Sequence, residues 1–220
     1  MQSSYEFPPE TRSKACFGPN PKAPTTKIPA CRRRLKDRVD TVQPMKAISE
    51  AREIEKYKKL AAEMMLADEY KESDFRPDWI LQRGWKVVPV EDGNHFRAWE
   101  IATIVPALQN AGYHDCVAVA TEPLDPFPPC FQLAITPDDL REFNRECGLF
   151  RFLLTEDTRS WAISCNELYN LFAGEQSLVE AMLGLFFEEA RKRFLEFAQP
   201  LALGNREYPL LKAAQRYAQF

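Results

Sequence analysis

Glycine is scarce in this 220-residue chain, with eight residues scattered singly. A phosphate-binding loop needs neighbouring glycines so that backbone N–H groups can approach the anion, and that absence excludes P-loop and dinucleotide-binding functions. Histidine is scarcer still, only His95 and His114, and neither Cys-x-x-Cys nor His-Glu-x-x-His occurs. The ligand spacings of a zinc centre are therefore missing, and we expect no metal and no cofactor. No apolar run reaches the roughly 18 residues of a membrane span, and Met1 to Glu10 lacks the charged-then-apolar order of a secretory signal. The expected location is the cytoplasm, with no membrane span. The six cysteines (16, 31, 116, 130, 147 and 165) stand singly, which reads as buried free thiols rather than a disulfide framework.

What is present is an ordinary globular composition, 45% hydrophobic and 28% charged, in a chain long enough to bury about 70% of its unfolded surface. The net charge of -3 conceals an asymmetry. Nine of the 29 Lys/Arg and four of the 32 Asp/Glu lie in residues 1–45, so that segment is about +5; the remaining 20 against 28 leave the body at about -8. Seven of the 17 prolines also fall in residues 1–45, withholding backbone donors. This predicts a flexible basic tail over 1–45 and one α+β domain over 46–220. The cluster Arg32, Arg33, Arg34, Leu35 and Lys36 has the charge to touch nucleic acid phosphates or an acidic membrane surface.

Residues 46–72 contain neither Gly nor Pro, and Ile54, Tyr57, Leu60, Ala61, Met64 and Met65 recur at helical spacing. They predict an amphipathic helix packed on the domain. Trp85 to Val90 reads as a strand that Pro89 confines to a sheet edge or bulge. A helix should follow, with Phe96, Trp99, Ile104, Leu108 and Ala111 on one side, kinked or restarted at Pro106 and ended by Gly112. Strands are expected at 116–121 and 130–135. Thr136-Pro137-Asp138-Asp139 then has the form of a helix start, with a capping hydroxyl, a proline at the first position and an acid where it reaches back. That helix should stop at Gly148. Alternation in Phe150 to Leu154, Trp161 to Cys165 and Tyr169 to Ala173 predicts a three-stranded antiparallel meander, followed by helices over 178–184, 186–199 and from Pro209. The pattern specifies an α+β fold: a mostly antiparallel, mixed sheet covered by helices.

Chemistry-bearing residues are few. His114-Asp115-Cys116 with Pro129-Cys130 covers only part of a zinc deaminase arrangement, because the proton-transfer glutamate and a second cysteine ligand are missing. Cys165, at a strand end beside Asn166 and Glu167, is the best candidate nucleophile, with His95 or His114 as its base, which defines a cysteine-dependent hydrolase or transferase alternative. Its alternation phase, shared with Trp161 and Ile163, points it into the core instead. An acidic body rich in aromatics favours another function, the capture of a protein partner. Trp99 and Trp161 fit apolar faces and are assigned to the core; Trp79 and Trp85 are the candidate partner-binding aromatics, together with Arg32, Arg33 and Arg34 in the tail. The first expectation is thus a non-enzymatic regulatory binder, in general build similar to bacterial toxin-neutralising immunity proteins. A nucleic-acid-associated protein acting through the basic tail is a second alternative.

Overall fold

The computed structural model describes residues 45–66, 74–91, 93–205 and 208–220. The predicted basic tail, but for Met45, lies outside these residues, as do Arg32, Arg33 and Arg34. Strand β1 (Lys46–Ala47) precedes helices α1 (Ala51–Met64) and α2 (Pro77–Arg83). Next come β2 (Lys86–Glu91), α3 (Ala98–Asn110), β3 (Asp115–Ala120), β4 (Cys130–Ala134) and α4 (Pro137–Cys147). The meander is β5 (Phe152–Thr155), β6 (Trp161–Cys165) and β7 (Tyr169–Gly174), and α5 (Gln176–Leu183), α6 (Phe187–Leu201) and α7 (Pro209–Tyr217) follow it.

The strands join in one seven-stranded sheet of order β1-β4-β3-β5-β6-β7-β2, antiparallel at every pairing. Pro89 stands in the outermost strand β2, opposite Leu171, where a missing donor disturbs the ladder least. The predicted meander is the centre of this sheet, and β2 extends it on one side.

Helices cover both faces. Cys116, Ala118, Phe152, Leu154, Trp161 and Ile163 point to a core closed by α3, α4 and α5. Their alternates Val117, Val119, Leu153, Ala162 and Leu171 point the other way, to a core closed by α1, α2 and α7. Double coverage explains why every residue of β5, β6 and β7 is buried, Thr155, Ser164 and Asn170 included.

Three local features differ from the sequence expectation. The first helix is shorter than 46–72, because Lys46 and Ala47 pair with Phe131 and Gln132 of β4 and the helix ends at Met64. Helix α3 does not restart at Pro106 but continues through it. Helix α2, seven residues with Pro77 at its start and Gly84 at φ 63° at its end, was not anticipated, since so short an element carries too little periodicity to read. The start of α4 is as predicted: Thr136 Oγ1 accepts from the Asp139 N–H at 3.1 Å, while Asp139 Oδ2 accepts from Ala134 N–H at 2.8 Å.

Candidate functional site

The two ends of the sheet divide the predicted site residues. At one end β2, β3 and β6 finish, and here Cys165 pairs across the ladder with Phe152 and Asn170. Cys165 is wholly buried. Burial first, then the charge of Glu100 and the neighbouring Cys147, pushes its thiol pKa strongly upward, so it stays protonated and a poor nucleophile. Burial likewise raises Cys116 and Cys147 to about 12 and Cys130 to about 11. These four are all free thiols.

His95 lies at this same end, and its carbonyl accepts from the Asn170 side-chain amide at 3.1 Å. Its ring is exposed, with Nδ1 3.1 Å from the Gly93 carbonyl oxygen, whereas the thiol is walled in. His114 precedes β3 at the opposite end. Ala120 is the β3 residue that lines up with Phe152 and hence Cys165, so six residues, roughly 20 Å of strand, separate His114 from that thiol. The structure does not bring His114 to Cys165.

The end that holds His114 has a cleft of about 360 Å³ lined by Tyr57, Tyr113, His114, Asp115, Gln132, Glu156 and Asp157, among others. Two of its three carboxylates have structural duties. Asp157 pairs with Lys56 at 2.8 Å, tying α1 to the β5–β6 turn, and Glu156 accepts from Ser160 N–H and the Thr158 hydroxyl within that turn. Among the described residues no group of three or more His, Cys, Asp or Glu is arranged to hold a metal ion.

Trp79 and Trp85 meet edge to face at a centroid distance of 6.4 Å. Trp85 is buried in the core beneath the sheet. Trp79 is half-buried, with the Arg83 guanidinium 4.6 Å and the Arg159 guanidinium 5.6 Å from its ring centre. Arg159 is in turn paired with Glu63 of α1, so Trp79, Arg159 and Glu63 link α2, the β5–β6 turn and α1.

Trp99 is the aromatic that sequence reasoning misplaced. It was assigned to the core with Ile104, yet it is 43% exposed. Five residues along a helix turn about 140° away, and the buried stripe of α3 is Ile101, Ile104, Val105 and Leu108. Trp161, by contrast, is in the core as expected. The exposed Trp99 borders a mostly apolar notch of about 70 Å³ with Pro89, Val90, Leu183, Leu185 and Phe194, which Glu91 and Arg193 also line. Leu185 also borders a second hollow with Glu180, Gly184, Phe186 and Glu189, and Phe186 is 79% exposed. An open apolar strip, Trp99-Leu185-Phe186, therefore crosses the corner where α5 turns into α6.

No known protein family, curated protein or solved structure matches this chain.

The α5–α6 corner owes its shape to two local devices. Gly184 takes φ 63° and passes so close to α3 that a Cβ there would lie 3.1 Å from Thr103 Cγ2. Glu180 then accepts from the first N–H of α6, that of Phe187, at 3.0 Å. Together they reverse the chain sharply and leave Leu185 and Phe186 on the outside. Among the described residues no helix is long and apolar enough to cross a membrane.

Proposed function

We propose that this chain is a non-enzymatic, cytoplasmic regulatory protein whose acidic body binds a protein partner. The observation that carries this reading is the open strip of Trp99, Leu185 and Phe186, because large aromatics left exposed beside apolar neighbours are the anchors of protein interfaces. The excess of 28 acidic over 20 basic side chains in residues 46–220 supports a basic partner, whose approach the field of the body would accelerate. Holding another protein in check, as immunity proteins do, is a role these features suit.

The thiol-hydrolase alternative has little support, since its nucleophile is buried and protonated and one of its two candidate bases is roughly 20 Å off. The test is affinity capture from source cells by the full chain and by its Trp99→Ala and Cys165→Ala variants, with partners identified by mass spectrometry. The binder reading expects one stoichiometric partner, retained by Cys165→Ala and lost by Trp99→Ala. Capture of nothing by the intact chain, together with any activity that Cys165→Ala abolishes, would overturn it.

A further inference from the structure

Building on the protein-binding reading, we propose that the Trp99-Leu185-Phe186 strip is the docking site for a basic amphipathic segment of the partner, with a Lys or Arg of that segment seated between Glu180 and Glu189. The two hollows that meet at Leu185 differ in chemistry. The notch beside Trp99, about 70 Å³, is walled mainly by apolar side chains and has room for the tip of one apolar residue. The larger hollow, about 470 Å³, is lined by Gly184, Leu185 and Phe186 together with two carboxylates, Glu180 and Glu189. A long cationic side chain fits such a place, because its methylene stem lies along apolar surface while its head reaches the acids. A neutral side chain there would gain nothing from the two carboxylates, and an acidic one would be repelled by them.

Both carboxylates are able to receive that cation. Glu180 is held below the usual carboxylate range by the Phe187 N–H and then the Gln176 amide, so it is ionised at neutral pH. Both of these donors bind its Oε1, and no described residue engages Oε2. Glu189 accepts from Arg193 Nε at 3.1 Å, but both partners of that pair are about half exposed or more, so the bond is readily shared with an incoming charge. The wider charge of the body, about -8, acts in the same direction.

The experiment uses a fluorescent synthetic helical peptide about five turns long, with Leu on one face and Lys on the other, titrated into the full-length chain. Control peptides carry Gln or Glu in place of Lys. We expect the Lys peptide to bind best and to weaken as salt rises. Trp99→Ala and Phe186→Ala should each weaken it at least tenfold, or about 1.4 kcal/mol. Glu180→Gln, which keeps a hydrogen-bond acceptor for Phe187, should weaken the Lys peptide severalfold and leave the Gln peptide unchanged. Circular dichroism of each variant confirms folding; Phe186→Ala alters an exposed side chain, and Glu180→Gln keeps the acceptor that shapes the corner.

Lys-peptide binding that all three variants retain at full strength would overturn the placement and leave the protein-binding reading standing. Equal binding of the Lys and Glu peptides would overturn the proposed chemistry. Sedimentation showing a dimer that Trp99→Ala dissolves would assign the strip to a second copy of this chain instead. The broader reading falls only if, in addition, affinity capture by the intact chain finds no partner.

Discussion

Asp74 is wholly buried, and the fold surrounds its charge with partners. Oδ1 accepts from the hydroxyls of Tyr217 at 2.9 Å and Tyr169 at 3.1 Å, and the Arg216 guanidinium faces Oδ2. The Tyr217 oxygen also accepts from the Phe75 N–H at 3.1 Å, so one phenol fastens the last helix to the segment before α2. Tyr217→Phe keeps the ring, orphans the Phe75 N–H and takes from Asp74 Oδ1 one of its two hydroxyl donors, which should cost about 1–3 kcal/mol. Urea unfolding followed by circular dichroism measures this, and a loss below a few tenths would show that water replaces the hydroxyl. The buried thiols make a second prediction. Their folded pKa values lie above the ordinary 9.0, so above pH 9 the unfolded state sheds protons that the folded state retains. The stability they contribute is complete below about pH 9 and falls as pH rises toward about 12. The urea midpoint should decline over that window, and site-resolved alkylation at pH 8 should leave Cys116, Cys130, Cys147 and Cys165 unmodified until the chain unfolds. Only part of this was legible in sequence. The alternation of Trp161, Ile163 and Cys165 foretold a buried thiol, whereas nothing in the spacing of Asp74, Tyr169 and Tyr217 shows that they converge, since more than 90 residues separate the acid from either phenol.

Elements are positioned as much by turns as by cores. Gly93 is buried where the chain entering α3 crosses the β6–β7 turn, and a Cβ there would fall 1.8 Å from the Asn166 carbonyl oxygen and 2.6 Å from the Tyr169 nitrogen. Both obstacles are backbone, so neither yields without shifting the turn. Gly93→Ala should therefore cost about 1–3 kcal/mol and speed hydrogen exchange at residues 166–169, while leaving exchange at the far end of the sheet unchanged. Uniform acceleration throughout would mean that the crossing has no local role. The need for glycine at position 93 comes from a neighbour more than 70 residues away, which no local pattern shows. The same distinction explains the helices. Caps are local, so Thr136 and Pro137 marked the start of α4 correctly. The N-terminal limit of α1 was misread because Lys46 and Ala47 obey a strand partner, β4, that lies about 85 residues downstream. Trp99 was misassigned by phase, because its helix buries a face that includes Glu100, a residue whose burial composition argues against and whose carboxylate instead accepts from the Arg97 N–H at 2.6 Å.

At the scale of the whole molecule the sheet belongs to both cores. Neighbouring residues of one strand, Val117 and Ala118 or Leu153 and Leu154, face opposite layers, so neither layer can come apart without pulling on the strands that hold the other. Cooperativity follows from that sharing. Leu60 of α1 and Leu140 of α4 are each 2% exposed, one in each layer. Truncating either to Ala should cost about 2–5 kcal/mol. If the layers are coupled as the alternation requires, both variants will shift one common transition, with far-ultraviolet circular dichroism and tryptophan fluorescence coincident. Trp161 lies in the upper core and Trp85 in the lower, so fluorescence is sensitive to either layer. A Leu60→Ala variant in which fluorescence and backbone signals separate would mean that α1 and its layer detach while the sheet persists. The strip of Trp99, Leu185 and Phe186 would then keep its support from α3 and α5, which close the other core, and would lose only what Phe194 of the α1 layer adds to its notch.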